Sequence, residues 1–216
     1  MIRLDRDGGL WTVTLDRPDK ANALTAAMLQ ELIAIAEAAA PEARALILTG
    51  TGRVFSAGAD LAEARAGLAT SPLWEDLSAR IARLPCLTIA ALNGTLAGGA
   101  FGMALACDLR LAVPEAGFFY PVMKLGFLPQ PSDPGRLTAL VGPARAKALL
   151  MAGQRIAAPE ALAWGLVDRL ADPEALLTEA RALAADACAA PPGHVAAIKR
   201  FFSAPAGPAS ESPPSG

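Results

Sequence analysis

Two short stretches carry the residue types from which chemistry could be built. "VFSAGADL", Val54 to Leu61, and "NGTLAGGAFGM", Asn93 to Met103, each include or follow an apolar run and place small residues where a loop ordinarily carries polar side chains. Without a Cβ, the backbone can come close to a ligand and its N–H groups stay open to donate. If the second turn opens a helix near Gly99, the first N–H groups of that helix have no carbonyl upstream and carry the positive end of its dipole. Two such N–H groups converging on one point make an oxyanion hole, which stabilises charge developing on a carbonyl oxygen. A phosphate cradle is the competing reading. Against it, neither loop ends in Lys followed by Ser or Thr, and no GxGxxG follows a strand. A purely structural role for the glycines is the remaining alternative.

The elements that must hold these turns can be read from periodicity. Ile2 and Leu4, then Trp11, Val13 and Leu15, alternate around "DGG", which predicts an opening β-hairpin. Leu24, Met28, Leu32 and Ile35 stand at helical spacing around a Thr25 cap, in a helix expected to end before Pro41. "RALILTG" and "CLTIAAL" read as buried strands, each leading to one of the glycine turns, and "LRLAV" as another strand. Strand, glycine turn and helix recur in a loose echo, which favours an α/β layered domain. From Pro134 onward, "PGRLTALVG", "PARAKALLMAG", "APEALAWGL" and "DPEALLTEARALAADACAA" are helical segments, several led by Pro or Asp. The tail from Ser203, "SAPAGPASESPPSG", is too poor in apolar residues to pack and is expected to be disordered.

Composition narrows the function classes. The chain has 216 residues, enough for one or two domains with a substantial core. Its 19 Lys plus Arg against 21 Asp plus Glu leave a net charge of −2, with no like-charge run to suggest a nucleic-acid surface. Cys86, Cys107 and Cys188 are odd in number, far apart and without neighbouring histidines, so they read as reduced buried thiols with no metal site. The start "MIRLDRDGGLW" has charges where a signal peptide has its apolar core, which points to the cytoplasm. Leu87 to Cys107 runs 21 residues without a charge, long enough for a membrane span, with Gly94, Gly98 and Gly102 at GxxxG spacing. The Asn93-Gly94 turn signal inside it divides the run into a strand and a helix instead, and no membrane partner is expected.

Taken in order, "RPDKANALT", "FSAGADL", "NGTLAGGAFGMALACDLRLA", "LGFLP" and "GLVDRL" resemble the crotonase superfamily, the enoyl-CoA hydratase/isomerase group, over roughly Ile2 to Lys199. The resemblance implies a spiral of ββα units in residues 1–140, a helical part in 141–200, and a tail in 201–216 outside the domain. It implies an acyl-CoA thioester as partner, coenzyme A entering as part of the substrate with no other cofactor, and a homo-oligomer, a trimer or dimer of trimers. The two enolate-binding N–H groups of the family match Ala59 and Gly99. Lys20, Ala21, Ala57, Gly58, Asp60, Leu61 and Gly98 match positions around the coenzyme A and the hole. Members usually continue several tens of residues beyond the position of Lys199, so part of the coenzyme site and of the subunit contact is expected to be missing or replaced.

The acid and base depart from the family pattern. One family glutamate aligns with Gly102, and the second, after the proline of a "PE…LG" motif, aligns with Val122. Neither can transfer a proton, whereas adding water to an enoyl double bond needs one group to activate water and one to protonate carbon. Ordinary two-glutamate hydration is therefore not expected. Tyr120 and Asp133 are the substitutes within reach, set against a half-buried aromatic and a helix N-cap before Pro134. His194, the only histidine, reads as surface or structural, and no GxSxG elbow supports a hydrolase. Asp108 and Arg110 read as a structural pair, and Glu63, Glu75 and Asp76 as a solvated helical stretch near the pocket mouth. Two readings stand: an enzyme using the hole on an acyl-CoA with unusual proton transfer (a lyase, decarboxylase or isomerase), or a degenerate acyl-CoA-binding or assembly subunit.

Overall fold

The computed structural model describes residues 1–203. The opening hairpin forms as its alternation predicts, β1 (Ile2–Asp7) antiparallel to β2 (Leu10–Leu15). The helix α1 (Ala26–Glu42) starts from Thr25, whose side chain accepts the Met28 N–H. It does not stop before Pro41. Proline costs a helix one donor and a clash with the carbonyl four residues back, and here both fall in the last turn, where the helix ends at Glu42 in any case.

Three consecutive units then each give one strand to a large sheet and one short strand to a second sheet. They are β3 (Ala45–Gly50) with β4 (Val54–Ser56), β5 (Leu87–Leu92) with β6 (Thr95–Ala97), and β7 (Leu109–Ala112) with β8 (Gly117–Phe119). Between and after them lie α2 (Leu61–Arg65), α3 (Leu73–Arg83), α4 (Phe101–Leu105) and α5 (Val122–Leu125). The C-terminal part adds α6 (Asp133–Val141), α7 (Pro143–Leu150), β9 (Ile156–Ala157), α8 (Ala158–Trp164), β10 (Arg169–Leu170), α9 (Leu176–Ala189) and α10 (His194–Ser203). The large sheet runs β1-β2-β3-β5-β7-β10 and the small one β4-β6-β8-β9. Pairing is parallel throughout except for β1 with β2 and β8 with β9. Both sheets bury apolar residues in one core. Trp11, Phe55, Phe101 and Phe118 are its largest fully buried side chains.

The charge-free run from Leu87 divides at Asn93-Gly94 into β5, β6 and a short helix, and among the described residues no helix is long and apolar enough to cross a membrane. Phe201 to Ser203 complete α10, so the expected tail boundary at residue 201 moves past them. The rest of the expected tail, 204–216, lies outside the described residues.

Asp108 and Arg110 are structural and touch through an Arg110 Nη2 hydrogen bond to the Asp108 main-chain carbonyl at 3.4 Å, but their charged groups pair with other residues. The Asp108 carboxylate accepts from the Thr88 N–H and hydroxyl at 2.8 and 2.9 Å and from Lys199 Nζ at 2.8 Å, which ties α10 to β5. The buried Arg110 side chain donates to the carbonyls of Leu166 and Cys107 and meets Asp168 at 3.3 Å, which ties β7 to the turn before β10.

Asn22 braces the first site loop. Ala21 and Asn22 are consecutive left-handed residues, at φ 50° and 51°, a conformation costing an L-residue roughly 1–2 kcal/mol. Fully buried Asn22 offsets this: its Oδ1 accepts the Arg17 N–H, and its Nδ2 donates to the carbonyls of Thr51 and Val54 at 2.9 and 2.7 Å. Replacing Asn22 with Ala takes one partner from each of those three backbone groups, of which the Val54 carbonyl keeps the Asn93 amide at 3.3 Å. It is expected to cost about 2–4 kcal/mol, read as a lower urea midpoint at unchanged m-value.

Candidate active site

Parallel pairing of β4 with β6 sets the site. The strands match Val54 with Thr95 and Ser56 with Leu96, so both end at the same edge and release their glycine turns side by side. Gly58 lies at φ +91°, and a Cβ there would fall 3.0 Å from the Ala97 carbonyl oxygen and 3.3 Å from the Gly99 nitrogen. Only a residue without a side chain lets the two turns pass this closely.

The first loop also pairs with Leu24. The Leu24 N–H donates to the Gly58 carbonyl, and the Asp60 N–H donates to the Leu24 carbonyl, both at 2.8 Å. A parallel bridge of this kind engages the residues on either side of Ala59, so the Ala59 N–H points away from Leu24. Gly99 is the second residue of the 3-10 turn Gly98–Ala100 that leads into α4, where an N–H has no carbonyl upstream to bond. Ala59 and Gly99 both line one cavity of about 150 Å³. The indole of Trp74 lies against Gly99, with ring atoms 3.1 Å from where a Cβ would stand, and is held by its own bond to the Leu68 carbonyl at 2.8 Å.

The remaining expected site residues take different places. Ala57, Leu61 and Gly98 line the same cavity, and Leu61 is 77% exposed at its mouth. Gly58 is buried beneath it. Lys20 is exposed at the end of the 3-10 turn Pro18–Lys20, and the Ala21 carbonyl accepts the Ala57 N–H at 3.0 Å, which joins that turn to the first site loop. The Asp60 carboxylate caps α2 through the N–H groups of Ala62 and Glu63 and meets Arg17 at 2.8 Å. The Arg17 hydrogen bond holds its carboxyl below the ordinary range.

Gly102 and Val122, expected from the resemblance to stand where the family has its acids, carry no protonatable side chain. Val122 lines the cavity. Gly102 is buried, and a Cβ on it would meet the Gln130 amide, with Cδ and Nε2 both at 3.0 Å. Gln130 therefore fills the space a longer side chain at 102 would need, and its Nε2 donates to the Gly99 carbonyl at 2.7 Å. Neither Gln130 nor Trp74 stands out in the sequence. Gln130 lies in the same "PQPSDPGR" stretch as Asp133, but only the fold brings it to Gly102.

Tyr120 and Asp133 come together. The Tyr120 hydroxyl donates to Asp133 Oδ2 at 2.9 Å, and its ring stacks on Phe101 with centroids 5.3 Å apart. Tyr120 lines the cavity and is 4% exposed, so it is buried rather than half-buried. Asp133 is fully buried as the first residue of α6. The expected N-cap position belongs to Ser132, which makes no side-chain capping bond. Burial pushes the Asp133 carboxyl up to about 7, against the Tyr120 hydrogen bond and the Arg136 charge. Burial and then the Asp133 charge push the Tyr120 phenol well above its usual range. Among the described residues the buried side-chain atoms without a hydrogen-bond partner are Gln130 Oε1, Asp133 Oδ1 and Arg136 Nη1, all within one seven-residue stretch.

The expected acidic stretch near the mouth is not simply solvated. Glu63 accepts the Ala26 N–H at 2.7 Å, Glu75 accepts from both the N–H and hydroxyl of Ser132, and Asp76 pairs with Arg80. His194 is exposed at the start of α10. No group of three or more possible metal-binding side chains occurs among the described residues.

The two-sheet spiral and its paired glycine turns define the crotonase class of folds. An enoyl-CoA hydratase from Bacillus anthracis superposes with a TM-score of 0.87 at 33% identity, covering 94% of this chain and 82% of that one. In sequence, a probable enoyl-CoA hydratase of Rhodobacter capsulatus is 36% identical over 208 residues, 94% of this chain and 81% of the relative. A carnitinyl-CoA dehydratase of Salmonella arizonae is 39% identical over 209 residues, 93% and 79% of the two chains. Residues 5–212 match the enoyl-CoA hydratase/isomerase family, and the chain belongs to it.

The contact between Gly102 and Gln130 can be measured. Gly102→Ala is expected to destabilise the chain by roughly 1–3 kcal/mol, because its methyl group meets the Gln130 amide. The penalty should shrink in Gly102→Ala with Gln130→Ala, and a double-mutant cycle on unfolding free energies measures that coupling. Asp133, with its carboxyl raised in the folded chain, binds its proton more tightly there than when unfolded. Its contribution is therefore fully present below about pH 4 and is lost as pH rises through about 7. Asp133→Asn removes this dependence and should gain on the parent by roughly 2–4 kcal/mol between pH 4 and pH 8 in parallel urea titrations.

Proposed function

We propose that the cavity receives the acyl thioester of a coenzyme A ester and holds its carbonyl oxygen between the N–H groups of Ala59 and Gly99. The enolate formed there would be the intermediate of an isomerase- or lyase-type reaction, not of two-glutamate hydration. The observation that carries this reading is the close approach of the two turns, with a Gly58 Cβ position 3.3 Å from the Gly99 nitrogen and both donor residues lining one cavity. Fixed donors aimed at developing negative charge are a large source of rate enhancement because they need not reorganise during reaction.

The lining sets the substrate class. Ala57, Ala59, Trp74, Val122 and Leu125 give an apolar wall. A cavity of about 150 Å³ is the size that takes a benzene-sized group, so a short acyl chain fits inside while the coenzyme lies outside. Lys20, Ala21, Leu61 and the rim at Ala57 are assigned to coenzyme contacts. The Asp60 carboxylate, already engaged by Arg17 and the α2 N-terminus, is assigned to fixing its loop. The relatives named as hydratase and dehydratase support an acyl-CoA substrate. The neutral Gly102 and Val122 support the absence of their ordinary hydration chemistry, and also favour the second reading, an acyl-CoA-binding subunit without turnover.

Calorimetry with butyryl-CoA against free coenzyme A tests the binding, and crotonyl-CoA hydration tests the chemistry. Binding of the ester is expected, with hydration slower than that of a two-glutamate relative by on the order of 10²–10⁴-fold for each missing group. Gly99→Pro removes one donor and is expected to weaken binding of an enolate analogue by about 10²–10³-fold. No heat of binding for the ester at millimolar concentration would refute the reading.

A further inference from the structure

Resting on the acyl-CoA reading above, we propose that Tyr120 exchanges a proton with the α-carbon of the bound thioester, and that Asp133 is the positioning residue behind it that takes up and returns that proton. Four observations meet here. Tyr120 lines the cavity that holds Ala59 and Gly99, its ring is fixed by the Phe101 stack, its hydroxyl is 2.9 Å from Asp133 Oδ2, and the second Asp133 oxygen is buried without a partner.

The other carboxylates near the cavity are engaged elsewhere. Asp60 holds Arg17 and the start of α2, Glu63 holds the Ala26 N–H, Glu75 holds Ser132, and Asp76 holds Arg80. Asp133 alone among these faces a group that lines the cavity and keeps an unused oxygen. A structural hydrogen bond for Tyr120 would need neither the charge nor the second oxygen. A neutral amide or a hydroxyl would serve without burying a carboxylate.

The step balances within the pair and the substrate. In the abstraction direction the α C–H bond breaks and its electron pair forms the enolate double bond, while the carbonyl oxygen takes the negative charge in the hole. The carbon's proton goes to the Tyr120 oxygen as the phenol's own proton passes to Asp133 Oδ2, so the carboxylate becomes a neutral carboxyl and the phenol stays neutral. In the return direction the carboxyl donates to the phenol oxygen, which also receives the Gln130 N–H at 3.4 Å, and the phenol O–H is free to protonate carbon. The groups that bear on Asp133 are Tyr120, Arg136 within its own helix, and Glu75 from α3. Burial and Glu75 raise its carboxyl to about 7 while Tyr120 and Arg136 oppose, which matches a proton acceptor to neutral pH.

The test is hydrogen–deuterium exchange at the α-carbon of butyryl-CoA in D₂O, read by mass spectrometry, with the full chain and with calorimetry of the same ester in parallel. The wild-type chain is expected to exchange the α-protons. Tyr120→Phe and Asp133→Asn are expected to slow exchange by at least about 10²-fold while changing the ester's Kd by less than about threefold. The wild-type rate should rise with pH through about 7 and level off, and Asp133→Asn should flatten that profile, which a merely structural role would not do. Circular dichroism of both variants checks folding, and Asp133→Glu serves as the conservative rescue. Exchange within about threefold of wild type in folded Tyr120→Phe, or no exchange by a wild-type chain that binds the ester, overturns the pair. Failure to bind the ester overturns the acyl-CoA reading itself, and the pair with it.

Discussion

The site depends on the distance at which two stretches of backbone can pass one another. β4 and β6 are adjacent parallel strands of only three residues each, and the chain must turn at once after each of them, at the same edge. Any side chain at position 58 would push into the Ala97 carbonyl and the Gly99 amide, so the turns would separate. Glycine in such a turn adds freedom to the unfolded chain, and the surroundings have to supply the rigidity. They do so from below, with Phe55 and Phe101 fully buried under the two loops, and from the sides, with two asparagines. Asn22 and Asn93 both donate to the Val54 carbonyl, and Asn93 also accepts the Gly50 N–H, so the connection from β3 to β4 is held at both ends.

This constraint explains which parts of the fold are readable in the sequence. β3 and β5 are six-residue apolar strands, α1 has a side-chain cap and a clear apolar stripe, and the glycine turns stand out by composition. The second sheet does not stand out. Three-residue strands such as "VFS" and "TLA" are too short to show a period, and they exist because parallel neighbours hold them. Charged neighbours also mislead. Asp108 and Arg110 lie two residues apart and invite pairing, but their carboxylate and guanidinium partners are Lys199 and Asp168, contributed by α10 and by the turn before β10. Local sequence cannot show such closures because they join segments whose separation only the finished spiral removes.

Gly102 and Val122 obey the same logic. The sequence puts residues without protonatable groups at these positions, where the resemblance leads one to expect acids, but it does not reveal what occupies the space. The fold fills it with Gln130, whose amide bonds the Gly99 carbonyl and sits where a side chain on residue 102 would extend. A neutral amide there steadies Gly99, one of the two residues proposed to hold the thioester oxygen, and adds no negative charge beside it. Gly102 and Gln130 are thus one structural choice, and a carboxylate restored at 102 alone would have to displace the amide first.

Asp133 is the complementary case. A fully buried carboxylate with one oxygen unpartnered weakens the folded chain whenever it is ionised. Its helix gains little in return, because Ser132 occupies the cap position and the Asp133 side chain is turned inward to Tyr120. Stability alone would favour an amide or an apolar residue at this place. Strain and unsatisfied polar groups that local rules would remove are expected where function needs them. Asp60, Glu63, Glu75 and Asp76 are held in ordinary structural bonds, whereas the one costly carboxylate is bonded to the phenol of a residue that lines the cavity, and that contrast is what the proposed proton exchange accounts for.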